Sequence, residues 1–438
     1  MLRCDVHNHT RYSNLRLADA LPTPEQLIDR AIEIGLAGVA ITDHEALCAH
    51  PKANKYYYKI KEQHPDFKVF LGDEIYLVEE RPSKSHYHFI FLSKDEIGHK
   101  QLRMLSTLAW LNSYHSGLER VDTLKADVEK IVKENPGHLI ASTACIGGEL
   151  GSRLLSLMKA EQTGDSASFK EEHQKIVDFI LWCKDLFKDD FYIEVQPGVS
   201  KEQIAVNKRA AAVAKCFEVK MIATSDSHYL KREDRYVHKS FLNSKEGERE
   251  VDAFYQDAYL HTNEEMIEKF KKSGFDEAFV ENLFANTMEI YNKIKDYSLE
   301  HAQQIPKVTV KNYPKYNSGF DSLYPTLASL YVSDDIIERY WINECAKALK
   351  EKGLSQRTEY WERLEEEAAI KKAIGEKLNT NIFAYPVTLK YYIDKFWELG
   401  STVGAGRGSS CSGLNHWLLG VTQLDPIEWN LPFWRLEL

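Results

Sequence analysis

The sequence predicts an α/β protein whose sheet of parallel strands is closed, or nearly closed, into a barrel. Short apolar runs, each the length of a buried strand, recur through about the first 230 residues, and amphipathic helical patterns lie between most of them. This alternation is typical of parallel βα units. The predicted strands are 4–7, 38–42, 68–71, 88–92, 138–142, 192–196 and 219–224.

Helical patterns supply the connections between these strands. Residues 23–34, 121–134 and 171–187 each show apolar positions at helical spacing. Beyond the barrel, residues 262–295 also have a helical pattern. Residues 304–319 are rich in Pro, Lys, Asn and Tyr and therefore predict an extended connection.

A second domain is predicted to begin near Ser333 with the heavily charged helices 334–352 and 359–378. A strand end at 401–403 and a helix start at 409–419 would flank the Gly-rich segment there. The chain is therefore predicted to divide into a barrel over 1–250, a helical segment and linker over 251–330, and a second domain over 331–438.

The composition is that of an ordinary globular protein, and 438 residues are enough for two or three domains. With 56 Lys and Arg against 66 Asp and Glu, the formal net charge of −10 excludes a polybasic nucleic-acid coat. Seven cysteines without a CxxC pair argue against a zinc ribbon and favour a reducing cytoplasm. The sequence has no signal-peptide core and no apolar stretch of ~18 residues, so no membrane partner is expected.

Ligand-type side chains fall at the end of nearly every predicted strand. His7 and His9 would point to one side, because alternate residues of an extended segment share a face. A barrel gathers the carboxyl ends of its strands at one mouth, so the side chains there should converge. The candidates are His7, His9, Asp43, His44, Asp73, Glu74, His86, His88, Cys145, Glu194, Asp226 and His228.

Each candidate has an ordinary structural explanation when it is taken singly. A single Asp or His after a strand usually caps a turn or helix, and Cys145 alone would be a small buried residue. Their coincidence at successive strand ends favours a metal cluster instead. Mixed nitrogen and oxygen ligands suit Zn²⁺, Mn²⁺ or Fe²⁺, and their number predicts two or three ions. Such a site deprotonates a bridging water and neutralises phosphate oxygens, which predicts phosphoester hydrolysis.

The segments 5–10 (DVHNHT), 41–44 (ITDH) and 223–230 (ATSDSHYL) resemble signature segments of the PHP (polymerase and histidinol phosphatase) family. Segments 9–13 and 142–149 also resemble the PHP domain of C-family replicative DNA polymerases (DNA polymerase III alpha subunit). The resemblance implies a distorted (β/α)7 barrel that holds up to three metals. It implies nine metal ligands: His7, His9, Asp19, His44, Glu74, His88, Cys145, Asp226 and His228.

Some PHP domains have lost ligands and serve only as structural modules, so a complete set implies an active 3′–5′ exonuclease or phosphoesterase. His86 is an alternative to His88 in this set. The residues expected to carry the catalysis are His7, His9, His44, Glu74, Asp226 and His228.

A second resemblance covers about the last hundred residues. Segments 360–367, 403–410 and 419–426 resemble, in order, a helix, a Gly-rich loop and an LGIT-x-IDP segment of the polymerase palm. Glycines let backbone N–H groups turn toward an anion, and Arg and Ser side chains add phosphate donors. In the family this loop binds the incoming nucleoside triphosphate. The phosphate-binding candidates are Gly406, Arg407, Gly408, Ser409 and Ser410.

The family palm continues into catalytic aspartates that hold Mg²⁺, and the resemblance reaches Leu438 before that motif. The expectation is therefore an incomplete α+β palm, with Mg²⁺ bound only if the rest of the palm is supplied. The leading hypothesis is the N-terminal part of a C-family polymerase with a PHP exonuclease site. Its partners would be a single-stranded DNA 3′ end or a primer–template, the remainder of the polymerase and other replication proteins. The alternatives are a free-standing phosphatase for small phosphate monoesters and a metal-stabilised scaffold without catalysis.

Overall fold

A computed structural model of the chain describes residues 1–15, 18–113, 121–244, 255–302, 304–305, 308–320 and 322–435. They form two compact units, Met1–His301 and Ala302–Leu438. The predicted boundaries at 250 and 330 remain predictions. None of the helices in the described residues has the length and apolar character needed to cross a membrane.

The first unit is built on an eight-stranded sheet. Its strands are β1 (Cys4–Asp5), β2 (Gly38–Ile41), β3 (Lys68–Val78), β4 (Tyr87–Ser93), β5 (Asp122–Leu124), β6 (Leu139–Ser142), β7 (Phe191–Val195) and β8 (Lys220–Ala223). Seven of them follow the order β1-β2-β3-β4-β6-β7-β8, and β5 pairs only with β3. Each of the seven predicted strands corresponds to one strand on this path.

Two predictions about the sheet are wrong. β4 runs antiparallel to both β3 and β6, so the sheet is not wholly parallel. Residues 122–124 form β5, whereas the sequence predicted that the helix starts at 121. The sheet is nearly closed, because Asn8 and Ser227, just beyond β1 and β8, form an isolated parallel bridge.

Helices surround the barrel, and Thr23 begins the first of them with a capping box that also involves Gln26. The helices of this unit are α1 (Pro24–Glu33), α2 (His50–Ile60), α3 (Glu96–Ser113), α4 (Lys125–Glu134), α5 (Glu149–Thr163), α6 (Ser166–Phe187), α7 (Lys201–Phe217), α8 (Arg235–Leu242), α9 (Asn263–Lys272) and α10 (Glu277–Lys293). Short 3₁₀ helices lie at Arg11–Leu15, Lys188–Asp190 and Arg232–Asp234.

Helix α10 closes the barrel at the amino-terminal ends of the strands. The backbone N–H of Cys4 donates to Thr287 Oγ1 at 3.0 Å, and Lys68 Nζ donates to the carbonyls of Tyr291 and Ile294. Ile290 joins the buried apolar cluster that fills the barrel interior. The opposite end, at the carboxyl ends of the parallel strands, is left for polar side chains.

The second unit is helical over its described residues. Its helices are α11 (Pro325–Tyr331), α12 (Ile336–Glu351), α13 (Thr358–Leu378), α14 (Ala384–Glu398) and α15 (Leu414–Leu418), with 3₁₀ helices at Gly408–Ser412 and Phe433–Arg435. The strand end predicted at 401–403 is wrong, because these residues have no regular secondary structure. Pro306 and Lys307 of the predicted connection lie outside the described residues, and its other described residues are neither helix nor strand.

Candidate metal centre

Backbone pairing between neighbouring segments of the barrel continues past the strand ends. This pairing positions the ligand candidates. His44, after β2, is bridged to Glu74 of β3, and His88 of β4 is bridged to Gly148. The backbone N–H of His9 donates to the carbonyl of Ser227 at 2.8 Å. These contacts bring the polar segments of neighbouring strands to one end of the barrel, as the sequence predicts.

Glu74 lies at the centre of the cluster and is 1% exposed. Its Oε1 atom is 2.8 Å from His88 Nδ1 and 3.4 Å from His7 Nε2. Its Oε2 atom is 2.8 Å from His44 Nδ1 and 3.1 Å from His9 Nε2. One carboxylate thus contacts four imidazoles, two through each oxygen, so Glu74 would hold divalent cations together with these rings.

Asp226 and Asp19 extend the cluster on either side. Asp226 Oδ1 is 3.3 Å from His7 Nε2 and 3.2 Å from His9 Nε2. Asp19 Oδ2 is 3.1 Å from His44 Nε2 and 3.4 Å from His228 Nε2. Both carboxylates are buried, so each needs cationic or hydrogen-bonding neighbours.

Cys145 completes the predicted set, with its Sγ atom 3.5 Å from His88 Nδ1. All nine predicted ligands therefore come together in one cluster. The alternative ligand His86 does not join it, since its Nε2 atom is paired with Asp122 Oδ1 at 2.9 Å.

Carboxylates outside the cluster orient its ligands. His7 Nδ1 is 2.6 Å from Glu194 Oε1, which fixes the ring so that Nε2 faces the cluster. Asp43 accepts hydrogen bonds from the backbone N–H of Thr10 and from the hydroxyls of Thr10 and Ser13. Both carboxylates were candidates in the sequence, and both act here as supports for ligand-bearing segments.

Some supporting residues were missed in the sequence. His238 Nε2 is 2.6 Å from the carbonyl of Asp19, and Tyr255 donates from its hydroxyl to Asp19 Oδ1 at 2.6 Å. These partners are separated by more than 200 residues, and no local pattern signals them. Gln196, whose amide donates to Asp226 Oδ2 at 3.2 Å, does follow Glu194 at the i, i+2 spacing of ligand-side residues.

The electrostatics of the cluster depend on opposite charges held together in a buried place. Burial disfavours the ionised form of Glu74, but the imidazoles of His44 and its neighbours outweigh burial and hold the pKa of Glu74 well below its usual range. Burial also disfavours protonation of His7, but the surrounding carboxylates, Asp226 first, raise the pKa of His7 well above its usual range. Ionised carboxylates at this end of the barrel therefore require positive charge beside them.

The donor set fits divalent cations. Buried Glu74 Oε2 and Asp226 Oδ1 lie 2.8 Å from His44 Nδ1 and 3.2 Å from His9 Nε2, but without a well-aligned hydrogen bond to any described residue. Three groups of side chains each place ligand atoms within 4.8 Å of one another, as one ion would require: His9, His44 and His228; His7, His9 and Asp226; and His44, Glu74 and His88. Imidazole nitrogen with carboxylate oxygen suits first-row transition metals or zinc better than Mg²⁺ or Ca²⁺.

Comparison with known families finds one match within each unit. Residues 5–198 match the PHP domain, and residues 335–436 match the bacterial DNA polymerase III alpha NTPase domain. The chain carries both of these domains. The resemblances drawn from the sequence motifs are thereby confirmed, and the nearly closed barrel is consistent with the PHP fold.

Relatives of this two-domain chain are DNA polymerases. The DNA-directed DNA polymerase of Bacillus phage SPbeta is 38% identical over 99% of this chain and 35% of its own length. DNA polymerase III subunit alpha of Aquifex aeolicus and that of Campylobacter jejuni are each 28% identical over 98% of this chain and 34% of their own length. The chain thus spans about a third of the length of these curated relatives.

The Gly-rich loop of the NTPase domain is exposed over residues 406–409. Gly406 has a φ of +131°, and a Cβ atom there would lie 2.7 Å from Cys411 Sγ, so this position requires glycine. Arg407 and Ser409 face solvent, whereas the Ser410 hydroxyl is 3.0 Å from His416 Nδ1. Four of the five predicted phosphate-binding residues are therefore accessible, and Ser410 is half-buried against a histidine.

Proposed function

We propose that the PHP domain is a metal-dependent phosphoesterase that removes nucleotides from the 3′ end of DNA within a C-family replicative polymerase. The position of Glu74 between four imidazoles carries the proposal, because this carboxylate would hold divalent cations together with these rings. The polymerase relatives supply the expected substrate and partners: a DNA strand, the remainder of a polymerase and other replication proteins. Replication in bacteria and their phages puts the proposed site of action in the cytoplasm.

In this proposal, two or three cations are held by the nine residues of the cluster, and they are Zn²⁺, Mn²⁺ or Fe²⁺. Bound there, such cations acidify a water molecule and neutralise phosphate oxygens. We assign catalysis to six residues that would bind the cations and orient the substrate. They are His7, His9, His44, Glu74, Asp226 and His228. Glu194 keeps the His7 ring in position.

The NTPase domain has a separate proposed role. The exposed loop with Gly406, Arg407, Gly408, Ser409 and Ser410 is proposed to bind the phosphates of a nucleoside triphosphate. Nucleotidyl transfer also needs carboxylates that hold Mg²⁺ at the reacting phosphate. Polymerisation is therefore proposed only for an assembly in which those carboxylates are supplied.

The decisive experiment is a nuclease assay on the full chain. With Mn²⁺ or Zn²⁺, the protein should shorten 5′-labelled single-stranded DNA from its 3′ end, and His9→Ala should abolish the reaction. His173→Ala, which changes an exposed histidine of α6, is the matched control and should retain full activity.

The same assay separates the alternatives. Hydrolysis of a small aryl phosphate with no shortening of DNA would favour a small-molecule phosphatase. A metal-induced rise in melting temperature with no turnover of either substrate would favour a metal-stabilised scaffold. If DNA is untouched and His9→Ala behaves as the wild type does, the nuclease proposal fails.

A further inference from the structure

A cavity of about 220 Å³ opens beside the metal centre of the PHP domain, with Asp226 in its wall. Its other side is the segment from Pro197 to Ser200, which joins β7 to α7. Ile146, after β6, closes a third side. The cavity therefore lies at the mouth of the barrel, in contact with a proposed ligand of the cations.

The cavity wall is unlike a phosphate site. None of the described residues that line it is Lys, Arg or His, whereas Asp226, Glu202 and Asp257 all contribute to it. Asp257 is neutralised by an ion pair with Lys269, but Glu202 is exposed at the rim and without an ion-pair partner among the described residues. A group with its own negative charge would be repelled here, and a neutral group with O–H or N–H donors would be favoured.

Hydrogen bonds also fix the position of the cavity wall relative to the metal centre. The Gln196 amide donates to both Glu194 Oε1 and Asp226 Oδ2 at 3.2 Å. Asn207 donates from Nδ2 to the Gln196 carbonyl at 2.8 Å, and its Oδ1 accepts from Gln203 Nε2 at 2.9 Å. A ligand in the cavity would therefore meet a preorganised surface rather than order a loose one.

We infer that this cavity binds the sugar and base of the terminal nucleotide while its phosphate lies at the cations. The inference rests on the proposed function and narrows its substrate class to strand ends with a free 3′-hydroxyl. Pockets for drug-sized ligands occupy roughly 300–1,000 Å³, so a cavity of about 220 Å³ suits one nucleoside and not two. A 3′-phosphate on that nucleoside would meet the exposed carboxylate of Glu202 and would be disfavoured.

The first test uses a neutral probe, 2′-deoxyadenosine, titrated against the full chain by ligand-observed NMR with and without Mn²⁺. The wild type should bind it in both conditions. Val199→Trp, which fills the mouth of the cavity, should weaken binding at least about tenfold. Val332→Trp in the second unit is the matched control and should change nothing, since Val199 is 44% and Val332 49% exposed.

The second test changes the charge at the rim of the cavity and leaves the shape of the cavity unchanged. With Mn²⁺ present, the wild type should bind deoxyadenosine 5′-monophosphate more tightly than deoxyadenosine 3′,5′-bisphosphate. Glu202→Lys replaces an exposed carboxylate at the rim and should remove or reverse that preference. This variant alters only a surface side chain, so it remains informative if Val199→Trp does not fold.

The outcomes distinguish the cavity from the reaction. Absence of nucleoside binding by the wild type, or unchanged binding by a folded Val199→Trp, overturns the cavity assignment even if DNA is hydrolysed. A preference for the bisphosphate in the wild type overturns it as well. Nucleoside binding that Val199→Trp abolishes supports the cavity even if no phosphoester is cleaved, and in that case only the proposed exonuclease fails.

Discussion

His7 Nε2 and His9 Nε2 lie 3.3 Å apart in the interior of the barrel, where both side chains are fully buried. Two neutral imidazoles cannot both direct lone pairs into that gap, so a proton or a cation must lie between them. Asp226 Oδ1, about equally far from both nitrogens, faces the same gap. The apo protein is therefore expected to hold protons where the loaded protein holds metal.

Metal binding should release protons and should strengthen as pH rises. The pKa values of His7, His44 and His228 are raised, because the groups around these buried rings outweigh burial: carboxylates for His7 and His228, and Tyr76 followed by carboxylates for His44. A cation must displace those protons, so Zn²⁺ affinity should fall as pH drops through the raised pKa values. Calorimetry in two buffers of different ionisation enthalpy would count the protons. An affinity independent of pH between 6 and 8, with no proton release, would contradict this coupling.

Glu74→Gln should remove the central carboxylate of the cluster without changing the shape of the side chain. An amide is a poor ligand for these cations and cannot balance four imidazoles, so we expect metal affinity to fall by at least ~100-fold. Metal-dependent stabilisation in a thermal melt should disappear with it. Glu62→Gln, at an exposed position after α2, is the matched control and should behave as the wild type does.

Glu194→Gln tests a positioning residue. Glu194 contacts His7 only on the Nδ1 side, at 2.6 Å, and should act by fixing the ring. Loss of such a contact typically lowers metal affinity by roughly 10–100-fold. Metal titration measures this directly, and an Mn²⁺ dissociation constant equal to that of the wild type would limit Glu194 to a structural role.

Two histidines remote from the cluster should make stability depend on pH. His50 Nδ1 is 3.1 Å from His99 Nε2, and burial lowers the pKa of His50 to about 3 and that of His99 to about 4. Because these folded values lie below the unfolded value of about 6.5, the stabilisation is complete above pH 6.5 and is lost as pH falls toward 4.

For one such histidine, the free energy of unfolding should fall by about 2 kcal/mol between pH 7 and pH 5. His99→Gln removes one titrating ring and keeps a polar group near His50. Urea unfolding of this variant should therefore depend less steeply on pH than that of the wild type. Equal slopes for the two proteins would show that His99 does not contribute.

Gly406→Ala should disturb the Gly-rich loop of the second unit. The new Cβ atom would lie 2.7 Å from Cys411 Sγ at a φ of +131°, a conformation that costs a non-glycine residue roughly 1–3 kcal/mol. Gly404→Ala is the control from the same loop, because its Cβ atom would meet no atom within 4 Å. A chemical-denaturation midpoint should fall for Gly406→Ala alone.

Much of the barrel could be predicted because buried strands have a strong local signal. Apolar runs such as the one that ends at His7 were enough to find the seven strands of the main path. Strand direction could not be predicted, since the apolar pattern of β4 is the same whether its neighbouring strands run parallel or antiparallel to it. β5, with three residues, is too short to interrupt the helical pattern that surrounds it.

The metal cluster could be predicted where its residues follow strands. His7, His9 and Asp226 come directly after strand ends, so the barrel topology alone brings them together. Asp19 lies in a loop, and only the family resemblance pointed to it. Its partners His238 and Tyr255 come from segments more than 200 residues away, and pairing of that kind leaves no trace in local sequence.

Among the described residues, helix α10 covers the end of the barrel opposite the metal centre. Since Thr287 and Ile290 close that end, a nucleotide released in the proposed reaction must depart by the mouth through which the DNA arrives. Departure and arrival then compete for the same passage. Free nucleoside monophosphate should consequently slow the enzyme by occupying that passage. Turnover would then be limited by the rate at which the product leaves the mouth of the barrel.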